Sequence, residues 1–219
     1  MKGGAMEGRK ASPRLVLLAA TRNPGKLEEL RRALAGLPLE LRSLAEFPQV
    51  PPLVEEEDTF AGNARSKAVQ AARATGLPAL ADDSGLVVPA LGGAPGVRSA
   101  RFAGPAAGDG ENIRLLLEKM EGREDRSAWF QCSLCLADPQ GRILWEGEGR
   151  CAGVILQAPR GTGGFGYDPV FLYPPARATF AEMGPEEKER VSHRGEAVRA
   201  FRAALERGIP GLEGPEEGR

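Results

Sequence analysis

The sequence predicts an α/β protein with an elongated mixed β-sheet and flanking helices. Segments with apolar residues at helical spacing are interleaved with short apolar or alternating segments typical of strands, and no strict βαβ repeat orders them. Two long segments, 127–138 and 142–150, flank the turn sequence DPQG and predict a hairpin that extends the sheet. With 219 residues, of which 42% are hydrophobic, the chain can bury a core of its own.

The individual elements follow from local patterns taken in chain order. A buried strand at 14–20 ends at the turn sequence TRNPG, and three leucines at helical spacing predict a helix over 26–35. Thr59 is a favoured N-cap residue and begins an alanine-rich helix. The other elements are strands at 39–43, 78–81, 86–88, 152–156 and 170–173, Pro- or Gly-rich loops at 47–54 and 91–110, and helices at 112–121, 185–191 and 194–207.

The two ends of the chain differ in composition from the middle. Residues 1–12 are polar and contain glycine, and residues 209–219 are rich in glycine and glutamate, so we expect both segments to be disordered. No clear linker or internal repeat interrupts 13–208, which predicts a single domain.

Charge and hydropathy exclude several classes of protein. The net charge of −1 provides no basic excess for nonspecific nucleic-acid binding. No apolar run approaches the roughly 18 residues that a membrane span needs, and the run at 15–20 is short for a signal peptide. We therefore expect a cytoplasmic protein that binds neither nucleic acid nor membrane.

The three cysteines do not predict a disulfide framework. Cys132 and Cys135 form a C-x-x-C sequence within the predicted strand 127–138. An offset of three places two side chains on opposite faces of a strand, so one metal ion cannot bind both thiols. Buried structural thiols are the favoured interpretation.

The sequence TRNPGK, residues 21–26, follows a strand and opens a helix. Free N–H groups and the dipole at a helix N-terminus favour a bound phosphate, and Lys26 adds a positive charge. The sequence is not a Walker A loop, because alanine occupies position 20 where that motif needs glycine. A simple strand–helix turn is the alternative interpretation.

Two acidic sequences precede or interrupt regular structure. Four acids at 55–58 lie before the helix that begins at Thr59; they either stabilise its N-terminus or supply Mg²⁺ ligands. The sequence ADDSG, residues 81–85, is either a capped turn or a pair of carboxylates for metal binding or general-base catalysis. Asp82 and Asp83 do not easily face one point, so at most one is expected to be the base.

The single histidine, His193, lies in VSHRG at the start of the last predicted helix. A lone histidine is most often structural, and no nucleophile motif accompanies this one. Arg194 beside it is unusual, because the positive end of a helix dipole disfavours a cation there. This mismatch indicates an anionic ligand.

The sequence GTGGFGYDP, residues 161–169, contains the pattern G-x-G-x-x-G. A dinucleotide fingerprint needs a strand before it and a helix after it, and neither is predicted here. The loop instead presents Phe165 between glycines, either as a surface for base stacking or as a core residue beside a hinge.

Taken together, the motifs resemble the inosine triphosphate pyrophosphatase family, also called Ham1-like. The resemblance runs over roughly 14–207 through TRNPGK, EEEDTFAGNARSKA, ADDSGLVVPALGGAPGVRSARFAG, GTGGFGYDPVF and EEKERVSHRGEA, in that order. It implies hydrolysis of non-standard purine nucleoside triphosphates (ITP, dITP and XTP) to the monophosphate and pyrophosphate. It also implies a Mg²⁺ cofactor, a two-lobed fold with a central nucleotide-binding cleft, and a homodimer.

The resemblance further implies roles for particular residues. Asp83 matches the catalytic base and a metal ligand, and Glu55 best matches the other metal ligand. The family usually has E-T-G where this chain has E-E-E-D, so Glu56 and Glu57 stay open as alternatives. The implied substrate-binding residues are Thr21, Arg22, Asn23, Pro24, Gly25, Lys26, Lys67, Ser84, Phe165, Gly166, Tyr167, Asp168, Lys188, His193 and Arg194.

Hydrogen-bond chemistry accounts for the implied substrate preference. Inosine and xanthine carry a 6-oxo group where adenine carries an amine. An N–H group of Lys188 or Arg194 can donate a hydrogen bond to the oxo group but not to the amine, so it favours the first and disfavours the second. Two alternative functions are a related pyrophosphatase acting on modified pyrimidine triphosphates and a non-catalytic nucleotide-binding sensor. The FGYD and SHRG sequences disfavour the first, and the intact ADDS sequence and Lys26 disfavour the second.

Overall fold

A computed structural model describes residues 15–212 of the chain. This part folds into seven strands and five helices. The strands are β1 (Leu15–Ala19), β2 (Leu39–Ser43), β3 (Ala79–Val87), β4 (Ser127–Ala137), β5 (Ile143–Ile155), β6 (Phe171–Tyr173) and β7 (Ala178–Thr179). The helices are α1 (Pro24–Ala33), α2 (Phe60–Thr75), α3 (Asp109–Lys119), α4 (Pro185–Val191) and α5 (His193–Arg207).

The strands form one mixed sheet in the order β2-β1-β3-β4-β5-β6-β7. β1 pairs in parallel with β2 and β3, and all the pairs from β3 to β7 are antiparallel. The β4–β5 hairpin, whose turn is closed by the Asp138 carboxylate, is the longest pairing in the sheet. The predicted α/β class and mixed sheet with flanking helices are confirmed.

The sequence ADDSG does not form the predicted turn between two short strands. A single strand, β3, runs through it, because all nine residues from Ala79 to Val87 pair with β4. Asp82 and Asp83 consequently project to opposite faces of the sheet. Their side chains form ion pairs with distant lysines and an arginine rather than capping the local backbone.

Three smaller expectations are also corrected. The strands predicted at 142–150 and 152–156 are one continuous strand, because β4 and β6 pair with β5 along its length. Helix α3 begins at Asp109 rather than 112, so the predicted loop 91–110 ends earlier, and the loop also contains the 3₁₀ turn Gly96–Arg101. The two-residue strand β7 was not predicted.

The sheet separates two packed layers. Leucines of α1 and the apolar side of α5 pack on one face, where Cys132 lies. The alanines of α2 pack on the other face, where Cys135 lies. The two thiols therefore belong to different cores, and burial raises their pKa values to about 12, as expected for structural cysteines.

Packing continues beyond the predicted end of the domain at 208. Ile209 is buried against the layer that contains α5, and Leu212 contacts the same cluster, so the expected disordered tail begins too early. The predicted extension 1–12 and residues 213–219 lie outside the described part. Among residues 15–212, no helix has the length and apolar character to cross a membrane.

Candidate functional site

A cavity lies beside β3, between the starts of α1, α3 and α5 and the loop 161–168. The sequences TRNPGK and GTGGFGYDP form two of its walls, although more than a hundred residues separate them in the chain. The lining residues are Asn23, Lys26, Glu55, Asp83, Ser84, Gly85, Val97, Ser99, Ala100, Asp109, Asn112, Phe130, Phe165, Gly166, Tyr167, Asp168, Lys188, His193 and Arg194.

One end of the cavity carries paired carboxylates and lysines. We call Lys26, Glu55, Lys67 and Asp83 the acidic end. The Lys67 ammonium of α2 lies between the two carboxylates, 2.7 Å from Glu55 Oε1 and 3.0 Å from Asp83 Oδ1. The carboxylates thus face a common point that a cation occupies.

Asp83 is held by α2 and lies at the wall of the cavity. Asn63 Nδ2 donates to its Oδ2 at 3.1 Å, and Lys67 Nζ donates to its Oδ1. Burial raises the pKa of Asp83 above its usual range, and the charges of Lys67 and Lys26 only partly offset that effect. A buried carboxylate of raised basicity is suited to accept a proton.

Glu55 is the acid of the 55–58 sequence that reaches the cavity. Burial alone would raise its pKa, but Lys67 and Arg101 donate to its two oxygens and lower the pKa below its usual range. Glu56 and Glu57 are exposed and do not line the cavity.

The sequence TRNPGK forms the start of α1, as its pattern predicts. Asn23 is the N-cap, and its side-chain oxygen accepts from the Lys26 backbone N–H at 3.1 Å. Thr21 Oγ1 in turn accepts from the Asn23 N–H. Lys26 extends from the first turn toward the sheet and lies 3.0 Å from Asp82 Oδ2.

Not every predicted contact reaches the lining. Thr21, Pro24 and Gly25 shape the turn behind Asn23, and Lys67 lies between Glu55 and Asp83 without lining the cavity. Arg22 is directed elsewhere, because its guanidinium donates to the Val50 carbonyl at 2.5 Å.

The opposite end of the cavity is aromatic and is built from buried ion pairs. We call Phe165, Asp168, Lys188, His193 and Arg194 the aromatic end. Asp168 Oδ2 accepts from the Phe165 backbone N–H at 3.0 Å and from Lys188 Nζ at 2.6 Å. Burial raises the pKa of Asp168, and the Lys188 ammonium partly offsets that effect.

Phe165 is fixed between the glycine loop and the TRNPGK turn. Lys188 Nζ lies 4.6 Å and the Arg194 guanidinium carbon 5.7 Å from the centre of its ring, a cation–π arrangement. A Cβ atom at Gly25 would lie 2.8 Å from Phe165 Cδ1, so the turn approaches the ring as only glycine allows. The two motifs therefore meet across the cavity.

His193 is a buried, neutral wall of the aromatic end. Its ring stacks on Phe130, with centroids 4.7 Å apart and planes 12° apart. Burial and the neighbouring charges of Arg194 and Lys188 hold its pKa well below the usual value. Among residues 15–212, no group bonds to its buried Nδ1.

Tyr167 and Asp109 close the remaining side. The Tyr167 hydroxyl donates to the Ser99 carbonyl at 2.9 Å, which fixes the ring within the core, and burial raises its pKa. Asp109, at the start of α3, accepts from the Gly166 N–H at 2.6 Å and thereby joins α3 to the loop.

Sequence reasoning missed four residues that organise the site. Asn63 and Arg101 hold Asp83 and Glu55, Asp109 holds the loop, and Glu29 bridges Lys188 and Arg194. Glu29 could have been found, because it lies one helical turn after Lys26 and faces the same side of α1. Asn63 could have been found in the same way, because it lies one helical turn before Lys67 on α2. Arg101 lies in a quoted motif but far in sequence from Glu55, and Asp109 is far from the loop that it holds, so local spacing does not reveal their partners.

This geometry can hold a ligand with two chemically different parts. The acidic end offers lysines, a helix N-terminus and two carboxylates, which suit a polyanion together with a divalent cation. The aromatic end offers a ring and buried donors, which suit a planar group with an acceptor at its edge.

Comparison with known proteins agrees with this description. Residues 17–204 match the model of the Ham1 family. The dITP/XTP pyrophosphatase of Syntrophobacter fumaroxidans is 55% identical over 84% of this chain and 78% of its own, and that of Gloeobacter violaceus is 53% identical over 88% and 95%. The structure of a HAM1 protein from Coxiella burnetii is similar, with a TM-score of 0.81 and 42% identity over 88% of this chain and 98% of its own.

The family match covers nearly all of the described residues, and it includes both ends of the cavity from Asn23 to Arg194. The relatives share about half of their residues with this chain over most of its length. By sequence and by fold, this chain belongs to the Ham1 family.

Proposed function

We propose that the protein hydrolyses non-standard purine nucleoside triphosphates, namely ITP, dITP and XTP, to the nucleoside monophosphate and pyrophosphate. The observation that carries the proposal is that one cavity has two different ends. One carries lysines and two carboxylates, which suit a polyanion, and the other carries an aromatic ring beside buried donors, which suit a purine. The names of the relatives, dITP/XTP pyrophosphatase, support the same activity. Removal of these compounds would keep them out of the nucleotide pool.

The triphosphate would bind at the acidic end. The start of α1 presents backbone N–H groups beside Asn23, and the partly exposed Lys26 supplies a positive charge. Lys67 adds a second positive charge between the carboxylates. Together these groups would orient the α-phosphorus toward Asp83.

Glu55 and Asp83 are the residues that would hold Mg²⁺. Two carboxylates facing one point are a suitable protein contribution, because Mg²⁺ takes its other ligands from water and substrate phosphates. The Lys67 ammonium lies 2.7 Å from Glu55 Oε1 and 3.0 Å from Asp83 Oδ1, and its attraction to both carboxylates supports this proposal. When bound, the metal would supply charge stabilisation at the phosphate oxygens.

Asp83 would act as the general base that removes a proton from the attacking water. Its raised pKa increases its basicity, and Asn63 fixes its orientation. Lys26 and Lys67 would stabilise the charge that develops on the phosphate oxygens.

The aromatic end would select the base. Phe165 offers a face for stacking, and Lys188 and Arg194 carry donors that a 6-oxo group can accept. Neutral His193 adds an unpaired ring nitrogen to the same wall. An adenine amine would leave buried donors without partners, which is costly. The pyrimidine and sensor alternatives gain no support, because the relatives are named for purine substrates.

Identification of the reaction products tests this proposal. Purified protein incubated with ITP and Mg²⁺ should release pyrophosphate and IMP, and chelation of the metal should stop the reaction. Release of orthophosphate and IDP would contradict the proposed bond cleavage.

We also propose that the protein works in the cytoplasm as a homodimer. The dimer rests on the family resemblance, and the location rests on the hydropathy of the sequence. Light scattering after size-exclusion chromatography should give about twice the mass of the 23.2 kDa chain; the mass of one chain would contradict the dimer.

A further inference from the structure

A continuous chain of ion pairs joins the two ends of the cavity. We call it the ionic chain, and its members alternate in charge. The order is Lys26, Asp82, Arg194, Glu29, Lys188 and Asp168, and each neighbouring pair forms a salt bridge. The N–O distances are 3.0 Å for Lys26–Asp82, 3.2 Å for Asp82–Arg194, 2.9 Å for Glu29–Lys188 and 2.6 Å for Lys188–Asp168.

Asp82 is the link between the cation of the acidic end and the cation of the aromatic end. It projects from β3 on the face opposite to Asp83, and its side chain is only 1% exposed. Its Oδ2 atom accepts from Lys26 Nζ, from Arg194 Nη2 and from Ser84 Oγ. Within residues 15–212, no group bonds to the buried Oδ1 atom.

We propose that Asp82 is a positioning residue that couples triphosphate binding to base recognition. The inference rests on the proposed pyrophosphatase function and adds to it a residue that touches neither the phosphates nor the base. Lys26 and Arg194 compete for the same oxygen of Asp82, so a ligand that moves one of them changes the position of the other.

The direction of the coupling follows from this competition. A triphosphate attracts Lys26 away from Asp82, and the whole charge of the carboxylate then acts on Arg194. Because Arg194 has a planar guanidinium, a stronger bond to Asp82 fixes the direction of its remaining N–H groups. A base should therefore bind more tightly once the triphosphate site is filled, and linkage requires the reverse effect to be equal.

Binding of substrate fragments tests the coupling without turnover. Calorimetry in Mg²⁺-free buffer measures the affinity for inosine, which is uncharged, with and without saturating inorganic tripolyphosphate. In the wild-type protein we expect tripolyphosphate to raise the inosine affinity about tenfold. In Asp82→Asn we expect both fragments to bind and the increase to disappear.

Two further variants keep the test decisive. Lys26→Met removes the cation that shares Asp82 with Arg194 at a partly exposed position, so it should fold even if Asp82→Asn does not. At tripolyphosphate concentrations that saturate this variant, the increase should also disappear. Asp138→Asn removes another buried, ion-paired aspartate far from the cavity and should keep the increase. The Asp138 control separates coupling from general loss of stability.

The outcomes distinguish the inference from the function on which it rests. Independent binding of the two fragments to the wild-type protein, or an increase that survives in Asp82→Asn or Lys26→Met, overturns the coupling and leaves the pyrophosphatase proposal intact. Failure of the wild-type protein to bind either fragment contradicts the proposed function and the inference together.

Discussion

The two ends of the cavity use charged side chains in different ways. At the acidic end Lys67 and Asp83 are buried, but the side chains of Glu55 and Lys26 are 31% and 17% exposed, so these two can exchange their present partners for a metal ion or a phosphate. At the aromatic end Arg194 and Lys188 are 3% and 8% exposed and are already paired with carboxylates. The comparison indicates that the acidic end can rearrange around a ligand, whereas the ion pairs of the aromatic end are formed before a ligand binds.

Loss of the general base should cause the largest change in activity and leave the aromatic end unaffected. Asp83→Asn keeps the size of the side chain but removes its basicity, so we expect hydrolysis of ITP to fall about 10³-fold. Binding of ITP, measured by calorimetry, should change much less. The exposed aspartate in Asp125→Asn provides a control that should keep full activity. Turnover that survives in Asp83→Asn would refute the assignment of the base.

Disruption of the aromatic end should instead lower the stability of the folded protein. Arg194→Met leaves Asp82 and Glu29 buried with fewer partners, and we expect the free energy of unfolding to fall by about 3 kcal/mol. Arg114→Met removes an exposed ion pair with Glu118 and should change the free energy of unfolding by less than about 1 kcal/mol. Urea denaturation measures both values. Equal effects of the two substitutions would contradict the contrast between the ends.

Removal of the aromatic ring should separate binding from chemistry. Phe165→Ala removes the stacking face, so we expect KM for ITP to rise about tenfold while kcat changes little. Phe165→Trp should preserve most of the affinity. Phe47→Ala, which removes a ring that contacts Arg42, provides a control away from the cavity. A fall in kcat with unchanged KM would assign the ring to the reaction instead of to base binding.

The buried histidine should give the smallest effect, a dependence of stability on pH. The folded protein holds His193 neutral, and the unfolded chain takes up a proton below its ordinary pKa of about 6.5. The unfolded state therefore binds more protons at acidic pH, and stability falls as pH decreases below about 6.5, by up to ~1.4 kcal/mol per unit. Urea midpoints between pH 5 and 7 should fall less steeply in His193→Gln than in the wild-type protein. Parallel slopes would show that His193 is protonated in the fold.

Much of the fold could be predicted from local sequence. Strand β2 and helix α4 match the predicted ranges, and Thr59 caps α2 as its residue type predicts. Helix α1 begins at Pro24, two residues before the predicted start. The prediction of two short strands on either side of DDSG is wrong, because these residues favour turns locally whereas pairing with β4 keeps them extended.

The site could be predicted only in part, because its contacts also form between segments that are distant in sequence. The motifs identified residues with chemical character, such as Lys26 and Phe165, but gave no information on their partners. The pairing of Arg22 with the Val50 carbonyl and of Asp109 with the Gly166 N–H depends on how distant segments pack. Only the folded chain brings these groups together.

Comparison of ITP with ATP tests the central claim most directly, because the two substrates share the triphosphate and differ in the base. The measurement is kcat/KM for each, from pyrophosphate release with Mg²⁺ present. The aromatic end predicts a preference for ITP of at least about 10²-fold, because the 6-amine of ATP offers no acceptor to an N–H group of Lys188 or Arg194, whereas the 6-oxo group of ITP does. Comparable values for the two substrates would contradict selection at the aromatic end, even if both were hydrolysed rapidly.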